Sequence, residues 1–150
     1  MFIKSIGFTT FVAAAFVSIS FASETLGSID PQLVKARGGI LQTTSEQYVF
    51  DLTSCAIWVE DGEYDIEAHG PGAGPDGRVI FFEFSSTGRH LSVGFDIDSV
   101  FQSASEKLAA YNLDVAVSDT MVTVSDLELR DQDNNLVGPG SLAFDCQPVS

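Results

Sequence analysis

The stretch "YVFDLTSCAIWVEDGEYDIEAH", residues 48–69, is the clearest indication of fold class, because its apolar and polar side chains alternate with a period of two. Cys55, Ile57 and Val59 share one side of the first half, which we assign to the core. Asp61-Gly62 then supplies the strongest short signal for a hairpin turn. Such alternation is typical of antiparallel strands with one face on a core and the other in water. The stretch therefore predicts a hairpin within a β-rich domain.

Further strands are predicted on the C-terminal side of this hairpin. The run "RVIFFEF" (78–84) is apolar on both faces, as a buried strand is, and "HLSVGFDI" (90–97) alternates again. Three more strands are "LDVAV", "MVTVSDLEL" and "SLAFDC", and a change of phase in the second predicts a bulge near Ser125 and Asp126. The intervening "GPGAGPDG" (70–77) is interpreted as a loop, because Gly and Pro are too dense for a central strand.

One α-helix is predicted over about residues 99–112. Ser99 and Gln102 have the spacing of a capping box. Apolar residues then recur every three or four positions through Leu108, and Asn112 is suited to end the helix. The predicted fold is therefore mainly β: an antiparallel β-sandwich, or a sheet with this helix packed on it, closed by one disulfide.

The closing disulfide is predicted from the cysteine count. Cys55 and Cys146 are the only two cysteines, so one intramolecular pairing exists. An exported chain would keep that bond oxidised. Because Cys146 shares a strand face with Leu142 and Phe144, we expect the bond to be buried and structural.

Export is predicted from the first 22 residues. Lys4 precedes an apolar run, and Ser20-Phe21-Ala22 places small residues where a signal peptidase reads them. The domain prediction is a signal peptide over 1–22, a lead segment with a possible short helix over 23–47, and one β-rich domain over 48–150. The expected location is the periplasm or the extracellular medium, with no stable membrane anchor after cleavage.

The charge of the chain excludes some partners. A formal net charge of −14 repels nucleic acid and anionic lipid surfaces. The expected partner is a protein or a small apolar ligand, the latter because Phe81, Phe82 and Phe84 could in part line a pocket.

Two groups of residues have the composition of metal sites. Asp65, Glu67 and His69 alternate on one strand face, and His90 opens a later strand; together they could bind zinc or manganese and support a metal-dependent hydrolase. The competing interpretation is the solvated face of a strand.

The second group is a candidate calcium loop. Asp131, Asp133 and Asn135 have the one-three-five spacing of calcium ligands. The glycine and glutamate that such a loop requires later are replaced by Leu136 and Leu142. A turn rich in Asp and Asn explains the same residues.

The chain resembles the mycobacterial lipoprotein-antigen family in "SCAIWVEDGEYDIEAHG", "GRHLSVGFD" and the closing "SLAFDC". It lacks the lipid-bearing cysteine that this family has at the cleavage site. The resemblance implies a disulfide-closed, non-enzymatic envelope domain. The leading expectation is an exported, soluble, non-enzymatic domain that binds a ligand or partner or has a structural role, and the alternative is the metal-dependent hydrolase.

Overall fold

Ten strands and one short 3-10 helix form the described part of the chain, which is residues 29–87, 90–95 and 106–148 of the computed structural model. The predicted signal peptide and residues 99–105 of the predicted helix lie outside the described residues. The 3-10 helix is Pro31–Leu33, and the strands are β1 (Gly38–Thr43), β2 (Gln47–Asp51), β3 (Ser54–Glu60), β4 (Glu63–Ala73), β5 (Val79–Ser85), β6 (His90–Phe95), β7 (Glu106–Tyr111), β8 (Asp114–Ser118), β9 (Met121–Arg130) and β10 (Leu136–Asp145).

Eight of these strands close into one antiparallel barrel. The order is β10-β1-β2-β4-β5-β6-β7-β9, and β9 pairs again with β10. Among the described residues, β3 pairs only with β4 and β8 only with β9, so both lie outside the ring. The prediction of a β-sandwich, or of a sheet with one packed helix, is therefore wrong. Alternation indicates which side chains face inward, but it does not indicate which strands pair. Here β10 pairs with both β1 and β9, and this double pairing closes the ring.

The predicted helix is wrong where the structure describes it. Residues 106–111 form β7, which pairs with β6 from His90↔Tyr111 to Phe95↔Glu106. Leu108 and Ala110 are buried in the barrel core, whereas Tyr111 is exposed. The apolar residues here follow a period of two. The backbone hydrogen bonds to β6 outweigh the helical spacing, because tertiary context overrides weak local propensity.

Two local predictions are confirmed. Asp61 (φ 51°) and Gly62 (φ 84°) form the turn between β3 and β4, with the positive φ angles that a two-residue hairpin turn favours. In β9, two residues oppose one residue of β10 between Leu127 and Val124, and Asp126 has φ 53°. The predicted bulge therefore lies where the sequence changes phase.

The Gly-rich stretch is partly strand, so its interpretation as a loop is wrong for its first half. β4 continues to Ala73, and it passes here from pairing with β3 to pairing with β2. A Cβ on Gly70 would lie 1.8 Å from the carbonyl oxygen of Asp51, and one on Gly72 would lie 2.3 Å from that of Val49. Glycine in a strand can mark such a close backbone approach.

Aromatic rings fill the centre of the barrel. Phe50 and Phe82 stack with their centroids 3.9 Å apart, and Phe144 meets the edges of Phe82 and Phe84 at 5.8 and 5.2 Å. Phe82 and Phe84 are 0% and 3% exposed, so these two phenylalanines of β5 belong to the core. Phe81 is only half-buried and lies 5.8 Å from the ring of His69.

The predicted disulfide Cys55–Cys146 is present, with 5.3 Å between the two Cα atoms. It joins β3, outside the ring, to the residue that follows β10. Cys146 is buried, while Cys55 is partly buried against the core. Such a bond is compatible with an oxidising, extracytoplasmic compartment. In the described part of the chain, no helix is long and apolar enough to cross a membrane.

Candidate functional site

The predicted zinc residues lie on the outer face of the barrel. Glu67 and His69 are exposed on β4 and Asp65 is partly buried, while Ile66 and Ala68 between them are buried in the core. Asp65 accepts a hydrogen bond from the Thr87 hydroxyl. The alternation predicted for this strand is thus present, and its polar side chains occupy a solvated face.

A shallow outer depression of about 220 Å³ brings three of these four residues together. It is lined by Glu67, His69 and His90 and also by Glu83, which lies opposite His69 on β5. The ring of His69 places Nδ1 3.3 Å from the Thr53 hydroxyl oxygen. Among the described residues, no three His, Cys, Asp or Glu are placed so that they could hold one metal ion.

The predicted calcium residues form the turn between β9 and β10. The Asp131 carboxylate accepts hydrogen bonds from the backbone N–H groups of Asp133 and Asn135, each at 2.9 Å, and from the Asn135 side-chain amide at 3.1 Å. The pKa of Asp131 is lowered, mainly by the side-chain hydrogen bond from Asn135. The carboxylate therefore organises its own turn, which accounts for the Asp-rich spacing.

This turn forms one wall of a cleft at the mouth of the barrel, which we call the mouth cleft. Among the described residues, its other walls come from Glu46, between β1 and β2, and from Pro75, Asp76 and Arg78, between β4 and β5. Leu108 and Val137 add apolar surface. The volume is about 370 Å³, within the range of about 300 to 1,000 Å³ that is usual for small-molecule sites.

Tyr48 provides the most buried polar group of the mouth cleft. Its side chain is 3% exposed, and its hydroxyl donates a hydrogen bond to the Glu46 carboxylate. Burial, followed by this hydrogen bond and the charge of Glu46, raises the pKa of Tyr48 far above its usual range. The hydroxyl therefore remains a protonated donor that orients Glu46.

The mouth cleft is strongly acidic. Among the described residues that line it, four carry carboxylates and one, Arg78, is a cation. The backbone N–H of Arg78 donates to Asp76 at 3.1 Å, while its guanidinium Nε is 3.9 Å from the same carboxylate. The carboxylates are those of Glu46, Asp76, Asp131 and Asp133.

Sequence reasoning missed the mouth cleft as a site. Glu46, Asp76 and Asp133 lie in three separate connections that share no spacing or motif. Barrel closure alone brings the three connections to one end. The one-three-five spacing of Asp131, Asp133 and Asn135 did indicate a cation at one of these connections, but no local pattern in the sequence places Glu46 and Asp76 beside it.

Searches of family models, of curated proteins and of solved structures each found no match to this chain.

Proposed function

We propose that the protein is an exported, non-enzymatic binding domain, and that its mouth cleft takes a small organic cation with an apolar body. The observation that carries this proposal is the cleft itself, in which four carboxylates and a buried tyrosine hydroxyl surround a space of ligand size. Export is supported by the predicted signal peptide and by a disulfide that suits an oxidising compartment.

The polar part of the ligand is expected near Glu46 and Asp76. A primary or secondary ammonium group can donate to both carboxylates, and charge-assisted hydrogen bonds are the stronger kind. Tyr48 holds Glu46 in place, so less side-chain freedom is lost on binding. The apolar body of the ligand would pack against Leu108 and Val137.

Calorimetric titration with 1,5-diaminopentane and spermidine tests this site. We expect both amines to bind and hexanoate, an anion of similar size, not to bind. Glu46→Gln and Asp133→Asn should each weaken amine binding by up to about fivefold, because an exposed ion pair contributes about 0.2 to 1 kcal/mol. Glu46→Gln keeps an oxygen that can accept the Tyr48 hydrogen bond, so it removes charge without removing this contact.

Glu63→Gln is the matched control, because it makes the same change of charge at the opposite end of β4. It should leave amine affinity unchanged at moderate salt. If Glu63→Gln weakened binding as much as Glu46→Gln, the amines would be responding to net charge, and the mouth cleft would not be the site.

The alternative function remains a metal-dependent hydrolase that uses Glu67, His69 and His90, with Asp65 nearby. Their shared outer depression favours it, although no three such residues in the described part of the chain are placed to hold a metal ion together. Metal analysis of the purified protein separates the two functions. Stoichiometric zinc or manganese that is lost in His69→Ala would favour the hydrolase over the binding domain.

A further inference from the structure

Strand β3 leaves one edge without a partner strand among the described residues; we call this the β3 edge. On its other side β3 pairs with β4 without interruption from Ser54↔His69 to Glu60↔Glu63. A regular edge of this kind presents a row of backbone groups that can pair with another extended chain.

The register shows which backbone groups point outward. Glu60 and Glu63 flank a two-residue turn, so they form a hydrogen-bonded pair of the antiparallel ladder. Hydrogen-bonded and non-hydrogen-bonded pairs alternate along such a ladder. Cys55, Ile57 and Val59 therefore direct their N–H and C=O groups toward the β3 edge.

The β3 edge lacks three of the features that prevent strand addition. Proteins protect open edges with lysine, with proline or with a bulge. β3 has the sequence SCAIWVE, which contains neither residue, and its register with β4 has no break. Trp58 and Val59 are instead 50% and 66% exposed, so apolar surface accompanies the open backbone groups.

The charge of the hairpin indicates which partner fits. Residues 54–67 contain five acidic residues and no Lys or Arg: Glu60, Asp61, Glu63, Asp65 and Glu67. A second copy of this chain would bring the same carboxylates to the interface, and like charges disfavour that pairing. A basic strand would neutralise them.

The start of β3 is fixed to the rest of the domain by a disulfide and by hydrogen bonds. The Cys55–Cys146 disulfide anchors the start of β3. The Arg37 guanidinium donates to the carbonyl oxygens of Leu52 at 3.3 Å and Thr53 at 3.5 Å, just before the strand. A strand that is already ordered loses little freedom when a partner binds.

We propose that the β3 edge binds an extended basic segment of another protein by strand addition. Lys or Arg of that segment would lie on the face of Trp58 and Glu60, where a cation can contact both the indole ring and a carboxylate. Apolar residues at the intervening positions would pack beside Ile57 and Val59. This interface lies at the opposite end of β4 from the mouth cleft and does not depend on it.

Fluorescence of Trp58, the only tryptophan, tests the proposal directly. The probe is a capped peptide of alternating Lys and Val. We expect it to shift Trp58 emission to shorter wavelength in a saturable manner. In a Lys-Pro peptide of equal charge, proline occupies the positions beside Ile57 and Val59, so the N–H groups that would face β3 are missing and the shift should not occur. A Glu-Val peptide should not bind.

The matched variants are Val59→Pro and Val59→Ala. Val59→Pro removes one outward N–H without removing a bond to β4, and proline is tolerated on an edge that faces solvent. It should bind the Lys-Val peptide about two- to tenfold more weakly than Val59→Ala, which corresponds to one net hydrogen bond. The double variant Glu60→Gln/Glu63→Gln keeps the backbone intact and should also bind more weakly at low salt.

Three results would overturn the proposal. The first is equal binding of the Lys-Pro and Lys-Val peptides, which would show attraction by charge alone. The second is unchanged affinity in the double Gln variant. The third is an emission shift that depends on protein concentration without peptide, which would show that a second copy occupies the β3 edge.

Discussion

At the scale of single residues, Tyr48 connects the core to the mouth cleft. Its ring belongs to the hydrophobic core, while its hydroxyl reaches the Glu46 carboxylate at the end of the barrel. Burial and the neighbouring carboxylate both oppose ionisation of the phenol, so the pKa of Tyr48 is raised. The folded state therefore holds this proton more tightly than the unfolded state.

We expect the raised pKa of Tyr48 to make stability depend on alkaline pH. Its contribution is complete below the unfolded tyrosine pKa of about 10 and is lost as pH rises above that value. The free energy of unfolding, measured in urea, should fall less steeply above about pH 10 in Tyr48→Phe than in the wild type. Tyr64→Phe is the control, because Tyr64 is exposed on the hairpin. Equal slopes in wild type and Tyr48→Phe would contradict this assignment.

At the scale of elements, β4 belongs both to the outer hairpin and to the ring of the barrel. Its first half pairs with β3 outside the ring, and its last residues pair with β2 inside it. Gly70 lies close to the backbone at the end of β2 and at the start of the connection to β3. A side chain there would meet main-chain atoms, which cannot rotate away.

Gly70→Ala should therefore destabilise the protein by at least about 1 to 3 kcal/mol, the usual cost of overpacking. The measurement is the midpoint and slope of urea unfolding. Ala73→Ser, at an exposed position of the same strand, should change stability by less than about 0.5 kcal/mol. A Gly70→Ala variant as stable as the wild type would show that the two chain segments can move apart without loss.

At the scale of the whole molecule, two structural features join distant parts of the chain. Backbone pairing of β10 with both β1 and β9 closes the barrel. The disulfide joins residues 91 positions apart and ties the β3–β4 hairpin to the end of β10. Because the barrel closes by backbone pairing without the disulfide, strand pairing and the disulfide contribute separately to the stability of the protein.

The double variant Cys55→Ala/Cys146→Ala should thus keep the far-ultraviolet circular dichroism of the barrel. It should lose about 2 to 5 kcal/mol of stability, the usual effect of removing a native disulfide from a small domain. Wild-type protein kept reduced during urea unfolding is the control and should match it. Two free thiols in the unreduced, unfolded wild type would disprove the bond.

Local features of this fold could be predicted from the sequence. The Asp61-Gly62 turn, the bulge at Asp126 and the outward face of Asp65, Glu67 and His69 follow from neighbouring residues alone. The pairing of Cys55 with Cys146 follows from their count. Turn chemistry, the side-chain period and the single possible pairing of the two cysteines do not depend on which distant strands pair.

The tertiary structure alone decided the closure of the barrel, the strand conformation of residues 106–111 and the position of the mouth cleft. Leu108 fits a helical stripe and a strand face equally well, and only pairing with β6 selects the strand. Glu46, Asp76 and Asp133 become neighbours only because the ring of strands returns their connections to one end. Pairing between strands distant in sequence depends on backbone hydrogen bonds that are the same for every residue type, so the sequence carries little local record of it.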